Sequence, residues 1–170
     1  MIRLNLASGT DLKRGDGWLN LDAVSWKLAS APPDVYWNAK DPIPFPDESV
    51  DEIYAGYLFL HTSTNWHARM LTDIRRVMKK GARLVVGEVD MSILLPRWLA
   101  NPSDKYLIGL TWGEGGTEHG EDMAAWDNHA CGFVEGSLRA LLASGGFTDA
   151  RRIKVHGDAV WYELTMEAFR

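Results

Sequence analysis

Three short stretches place small or polar side chains directly after apolar runs, where an α/β protein presents groups to a ligand. Residues 2–7, IRLNLA, lead into Ser8 and Gly9; with Leu6 and Ala7 these form a turn of small residues that a ligand can approach closely at the backbone. Residues 18–22, WLNLD, end on Asp22, whose two oxygens suit two neighbouring hydroxyls such as those of a ribose. Residues 35–39, VYWNA, end on Asn38 and Ala39, where an amide can read an adenine edge. Together they describe a nucleoside site.

These residues need strands to hold them. Residues 2–7, 18–22, 35–39 and 50–59 read as strands, and 82–90, ARLVVGEVD, as a nearly all-apolar strand covered on both faces. Between the last two, residues 65–79 place Trp66, Met70, Leu71, Ile74, Val77 and Met78 at helical spacing, with Ser63 or Thr64 as cap and Lys79, Lys80 and Gly81 at the end. Strand, helix, strand is a parallel crossover. A short helix is expected near 104–112 and another over 136–144, stopped by Gly145 and Gly146; a hairpin turning at Gly157–Asp158 closes the chain. The expected fold is α/β: a Rossmann-like, open, mostly parallel sheet with an antiparallel C-terminal hairpin, in one domain over 1–170 with 92–134 as an insertion or lid. Only about ten residues join the first two strands, fewer than a parallel crossover takes, so the helix of a dinucleotide fingerprint is reduced here to a turn.

The composition narrows the partners. A formal net charge of −5 with no Lys/Arg cluster beyond short pairs argues against nucleic acid. No long apolar run and no leader pattern is present, so no membrane is expected as a partner. The single cysteine, Cys131, supports no disulfide framework and reads as a small core residue. A cytoplasmic protein is the expectation, and a homo-oligomer is compatible with it.

The order and spacing of LNLASG, GWLNLD, NAKDPIPFPDESVDEIYAGYLFLH and RRVMKKGARLVVGEVD, followed by NHACGFVEGSLRALLASGGF, resemble a group of small Rossmann-like S-adenosylmethionine-dependent methyltransferases over nearly the whole chain. That group reads LNLGCG, LPFPDNSVDEIYASHVLEH and RVLKPGGRL in the matching places. The resemblance implies S-adenosylmethionine as cofactor, with Ala7, Ser8 and Gly9 along its methionine and ribose, Asp22 on the ribose hydroxyls, and Asn38 with Ala39 at the adenine. It implies that Ala55, Gly56 and Tyr57 face the sulfonium. Ala7 and Ser8 replace Gly and Cys, Asn38 stands where an acidic residue is usual, and Leu60 replaces the glutamate before His61.

Methyl transfer is an in-line displacement, so an enzyme chiefly aligns a nucleophile and excludes water. A hydroxyl or amine acceptor also profits from a base; His61 and His129 are the candidates, with Asp90 as the carboxylate option. The segment from Gly113 to His129 carries Glu114, Glu118, Glu121, Asp122 and Asp127 and no Lys or Arg, so the remaining chain is formally neutral. It reads as a solvated lid or, through Trp112, Trp126, His119 or His129, as a substrate contact; its spacing matches no standard metal-ligand pattern, and no metal is expected. The leading reading is a methyltransferase acting on an O- or N-nucleophile of a small molecule. A cofactor-binding partner subunit without independent activity is second. A nicotinamide oxidoreductase is third, since LASG lacks the later glycines.

Overall fold

The computed structural model describes residues 1–23, 30–113, 128–153 and 162–170. Seven strands, β1 (Arg3–Leu6), β2 (Trp18–Asp22), β3 (Val35–Tyr36), β4 (Val50–Gly56), β5 (Met78–Val89), β6 (Thr148–Arg152) and β7 (Glu163–Phe169), form one sheet in the order β3-β2-β1-β4-β5-β7-β6. The first five are parallel and β7 runs antiparallel between β5 and β6. The described helices are α1 (Thr64–Val77), α2 (Met91–Ala100), α3 (Lys105–Trp112) and α4 (Glu135–Ser144). The order reverses at β1, so the carboxyl ends of β1, β2 and β4 flank one crevice. None of the described helices is long and apolar enough to cross a membrane.

The two faces of the sheet differ in chemistry because side chains alternate. On one face Leu4, Leu6, Leu21, Ile53, Ala55, Leu84, Val86, Leu164, Met166 and Ala168 are buried in a single core with Met70, Leu71, Ile74 and Val77 of α1 and Leu138 and Leu142 of α4. The other face is polar. Arg3 and Arg83 flank Glu52 (3.2 and 3.1 Å), and Arg83 and Arg151 grip Glu167 (2.7 and 2.6 Å).

Asn5 and Asn20 on that second face show why β1 and β2 are joined by a loop. Both are buried; Asn5 Nδ2 donates to Asn20 Oδ1 (2.9 Å) and to the Asp11 carbonyl (2.7 Å), while Asn20 accepts the Lys13 N–H (2.8 Å) and donates to its carbonyl (2.9 Å). Two amides thus satisfy loop backbone where apolar residues would have packed a helix. Asp34 completes the network by accepting from the Asn20 N–H and Nδ2, both at 2.8 Å; the backbone donor is the first cause holding its carboxyl below the ordinary range.

The structure corrects several expected bounds. The strand expected over 35–39 contains two residues, since Asn38 turns the chain through Lys40 and Asp41. The helix from 65 ends at Val77 rather than in the lysines: Met78 pairs with Val50, and Lys79 binds Asp51 at 2.7 Å, so β5 starts earlier than residue 82. Ser63 occupies the N-cap position of α1 without a side-chain bond. Before the expected helix near 104–112 the chain forms another, α2, that the sequence pattern does not show: Pro96 lies inside it, although Asp90 caps it. The Gly157–Asp158 turn, His119 and Trp126 lie outside the described residues.

Candidate cofactor and acceptor site

At the carboxyl end of β1 the chain reverses through Ala7 (φ 53°) and Gly9 (φ 51°). A Cβ on Gly9 would meet nothing within 4 Å, so the turn opens on space. The Gly9 N–H donates to Asp22 Oδ2 at 2.8 Å, and the Ser8 N–H donates to the Leu21 carbonyl at 3.1 Å. Both bonds lock the small-residue turn against the end of β2, bringing Leu6, Ala7, Ser8, Gly9 and Asp22 into one place. Ser8 is buried, and its Oγ has no hydrogen-bond partner among the described residues, as expected of a group oriented toward a polar ligand. Those features fit a ribose and methionine chain along the turn.

Beyond β2 the Asp22 carbonyl accepts the Trp37 N–H at 2.8 Å, which carries Asn38 and Ala39 to the same edge. Asn38 Oδ1 accepts the Lys40 N–H at 2.9 Å, so the side chain presents its amide NH₂ outward as a donor. Ala39, Trp37 and Ile43 line a small cavity against Met70 and Ile74 of α1. At the end of β4, Tyr57 adopts φ 57° and its N–H donates to the Gly87 carbonyl (2.6 Å), leaving the ring partly exposed.

The segment after Tyr57 is clamped from three sides, mostly by groups that sequence reading did not select. Glu88 of β5 is fully buried; Oε1 accepts the Phe59 N–H (2.9 Å) and Oε2 the Leu60 N–H (3.2 Å). Leu60 is itself buried, and a carboxylate still lies beneath this backbone, supplied by the neighbouring strand. Burial pushes the Glu88 carboxyl up to about 8, against the two N–H donors, which favour the charged form. His67 of α1, also buried, donates from Nε2 to the Phe59 carbonyl (3.0 Å), since both oxygens facing that nitrogen are acceptors. From the third side, the Ala130 N–H donates to the Leu60 carbonyl (2.6 Å) and Cys131 Sγ to that of Phe59 (3.3 Å). Burial first and the Glu88 charge second push the Cys131 thiol up to about 11, which disfavours the thiolate. An acid inside the apolar run LVVGEVD was the available signal for Glu88.

This clamp brings the two candidate histidines together. The His61 and His129 rings meet edge to face with centroids 4.9 Å apart. His61 Nδ1 lies 3.3 Å from the Asn128 carbonyl, which places a proton on Nδ1 and makes Nε2 the basic nitrogen. Asp90 does not join them. It is fully buried, caps α2 through the Ser92 N–H (3.1 Å) and Oγ (2.6 Å), and pairs with Arg152 at 2.9 Å. Among the described residues no group of three or more His, Cys, Asp or Glu is placed to hold a metal.

Residues 16–86 match the family model described as "Methyltransferase domain". No curated protein matches the chain. Several solved structures share the fold over 98–99% of its length. An S-adenosylmethionine-dependent methyltransferase from Thermotoga maritima has 17% identity and a TM-score of 0.61, with 81% of that chain covered. The complex of the Haloferax volcanii Trm112 methyltransferase activator with a methyltransferase gives 13%, 0.61 and 81%. Human N-acetylserotonin methyltransferase in complex with S-adenosylmethionine gives 17% and 0.63, and this chain spans 47% of its length. At these identities the likeness is one of fold.

Proposed function

We propose that this chain, whose fold is Rossmann-like and whose residues 16–86 match a methyltransferase domain, is an S-adenosylmethionine-dependent methyltransferase that methylates an oxygen or nitrogen nucleophile of a small molecule. The single observation that carries the cofactor assignment is the Gly9–Asp22 lock, which sets a glycine turn and a carboxylate at one end of the sheet. Residues Leu6 to Gly9 and Asp22 hold the methionine chain and the ribose. Asn38 and Ala39 meet the adenine, and Ala55, Gly56 and Tyr57 border the reacting end. The bound cofactor supplies an electrophilic methyl group; the chain's own work is to hold the acceptor in line and keep water out.

His61 Nε2 receives the acceptor's proton in this reading, with His129 packed against the ring to fix its orientation. Asp90 is assigned a positioning role, because its carboxylate is engaged in the α2 cap and the Arg152 pair. The test is S-adenosylhomocysteine release with a panel of small nucleophiles. His61→Gln lowers kcat/KM by about 100-fold and removes its low-pH limb, whereas Asp90→Asn lowers thermal stability and leaves the shape of the pH profile. An unchanged profile in His61→Gln refutes the base assignment. The polar second face of the sheet favours a second reading, a cofactor-binding subunit that works with a partner; binding without turnover across the panel supports that one.

A further inference from the structure

Two glycines at adjacent strand ends clear the floor of a second cluster beside the proposed cofactor site. Glu163, the first residue of β7, leans over Gly87: a Cβ there would stand 2.9 Å from Glu163 Oε1 and 3.3 Å from the Tyr54 hydroxyl. A Cβ on Gly56 would stand 2.8 Å from the Tyr54 ring. Only glycine at both positions lets a carboxylate and a phenol lie flat across the ends of β4 and β5. The Tyr57 backbone is bound to this same Gly87.

The charges around the cluster are unevenly matched. On the same face Glu52 and Glu167 are each paired with two arginines. Lys13, 3.9 Å from the Tyr54 ring centroid, lies 3.6 Å from Asp11, so its charge is matched there. Glu163 accepts from Thr165 Oγ1 (2.8 Å), and no described Arg or Lys lies within ion-pair distance of it. Both phenols stay protonated near neutrality. Burial first and the Glu163 charge second raise Tyr54 to about 12 and Tyr57 further still.

We infer that Glu163, walled by Tyr54 and with Tyr57 tied to the neighbouring Gly87, binds an amine acceptor in its ammonium form; the ammonium gives its proton to His61 Nε2, the neutral nitrogen then forms the N–C bond as the methyl's S–C bond breaks, and S-adenosylhomocysteine leaves. A single unmatched carboxylate with aromatic faces attracts an ammonium group, gains little from a neutral alcohol and repels an acid. The inference rests on the methyltransferase reading, because that reading puts the reacting end of the cofactor at Ala55 to Tyr57.

The experiment titrates the full chain, saturated with S-adenosylhomocysteine, with benzylamine and with the isosteric benzyl alcohol by calorimetry near pH 7. Wild type is expected to hold benzylamine about ten-fold more tightly than the alcohol. Glu163→Gln abolishes that preference with an unaltered thermal midpoint and S-adenosylhomocysteine affinity, and Tyr57→Leu reduces it. Equal affinity for the two probes, or an unchanged preference in Glu163→Gln, overturns the inference. So does a variant that loses only the preference of the cofactor site for S-adenosylmethionine over S-adenosylhomocysteine, since the carboxylate would then serve the sulfonium. Should S-adenosylhomocysteine fail to bind wild type, the methyltransferase-site reading fails by itself, and the probes titrated alone decide whether an ammonium site stands without it.

Discussion

Replacing Glu88 by glutamine tests the reading of the clamp beneath residues 59 and 60. The wild-type carboxyl is fully buried and raised from an ordinary 4.5 to about 8, with burial the dominant cause. Between those values the folded protein keeps a proton that the unfolded chain has released, so stability attributable to this group is present in full below about 4.5 and falls by about 1.4 kcal/mol per pH unit until about 8. Glutamine is neutral throughout and retains one acceptor oxygen for the two N–H groups of Phe59 and Leu60. Losing one of those bonds costs about 1 kcal/mol, so near pH 5 the variant is slightly less stable than wild type. Above about pH 8 it is more stable, and the difference between the two proteins swings by about 4 kcal/mol. Urea denaturation followed by tryptophan fluorescence at both ends of the range measures the swing. A difference that stays constant with pH would refute the argument, because it would mean that the two N–H donors hold the carboxylate charged and burial does not dominate.

Other outcomes follow from single contacts. Gly17 has φ 78°, and a Cβ there would lie 2.2 Å from the Met1 carbonyl oxygen, whereas Gly15 at φ 71° faces open space; Gly17→Ala therefore costs more than about 2 kcal/mol and Gly15→Ala about 1 kcal/mol in urea unfolding. Glu167 is held below the ordinary range, chiefly by its Arg151 hydrogen bond and then by Arg83. Its contribution is present above the ordinary carboxylate pKa and disappears as pH falls through the depressed one, so Glu167→Gln lowers Tm by a few degrees at neutral pH and leaves it unchanged in acid.

Much of the fold was legible because strand and turn chemistry agree with the global order. The runs read as strands at 2–7, 18–22, 50–59 and 82–90 fall on β1, β2, β4 and β5, although β4 stops at Gly56, short of residue 59, and Asp22 sits at the strand end that its sequence position implies. The short link after β1 was legible as a loop, but the reason for it was not: Asn5 and Asn20 read as ordinary polar strand positions until their side chains were seen to bind loop backbone. The helix α2 was hidden by Pro96. Glu88, His67 and Glu163 were missed because each acts across the sheet or across the chain, on partners 8 to 29 residues away or over a glycine on a neighbouring strand. Asp90 shows the converse: a carboxylate at a strand end looks like a site residue in sequence, and in the fold it caps a helix and binds Arg152.

The measurement that bears most directly on the cofactor site is a calorimetric titration of the wild-type chain and of Asp22→Ala with S-adenosylmethionine and S-adenosylhomocysteine. Asp22 both holds the Gly9 turn and is assigned the ribose hydroxyls, so its loss removes charge-assisted bonds worth about 3 kcal/mol, or more than about 100-fold in affinity. Micromolar binding by wild type that disappears in the variant, with the variant still folded by circular dichroism, is the predicted result. Wild type that binds neither compound, or a variant that binds both as well as wild type, contradicts the placement of the cofactor at the ends of β1 and β2.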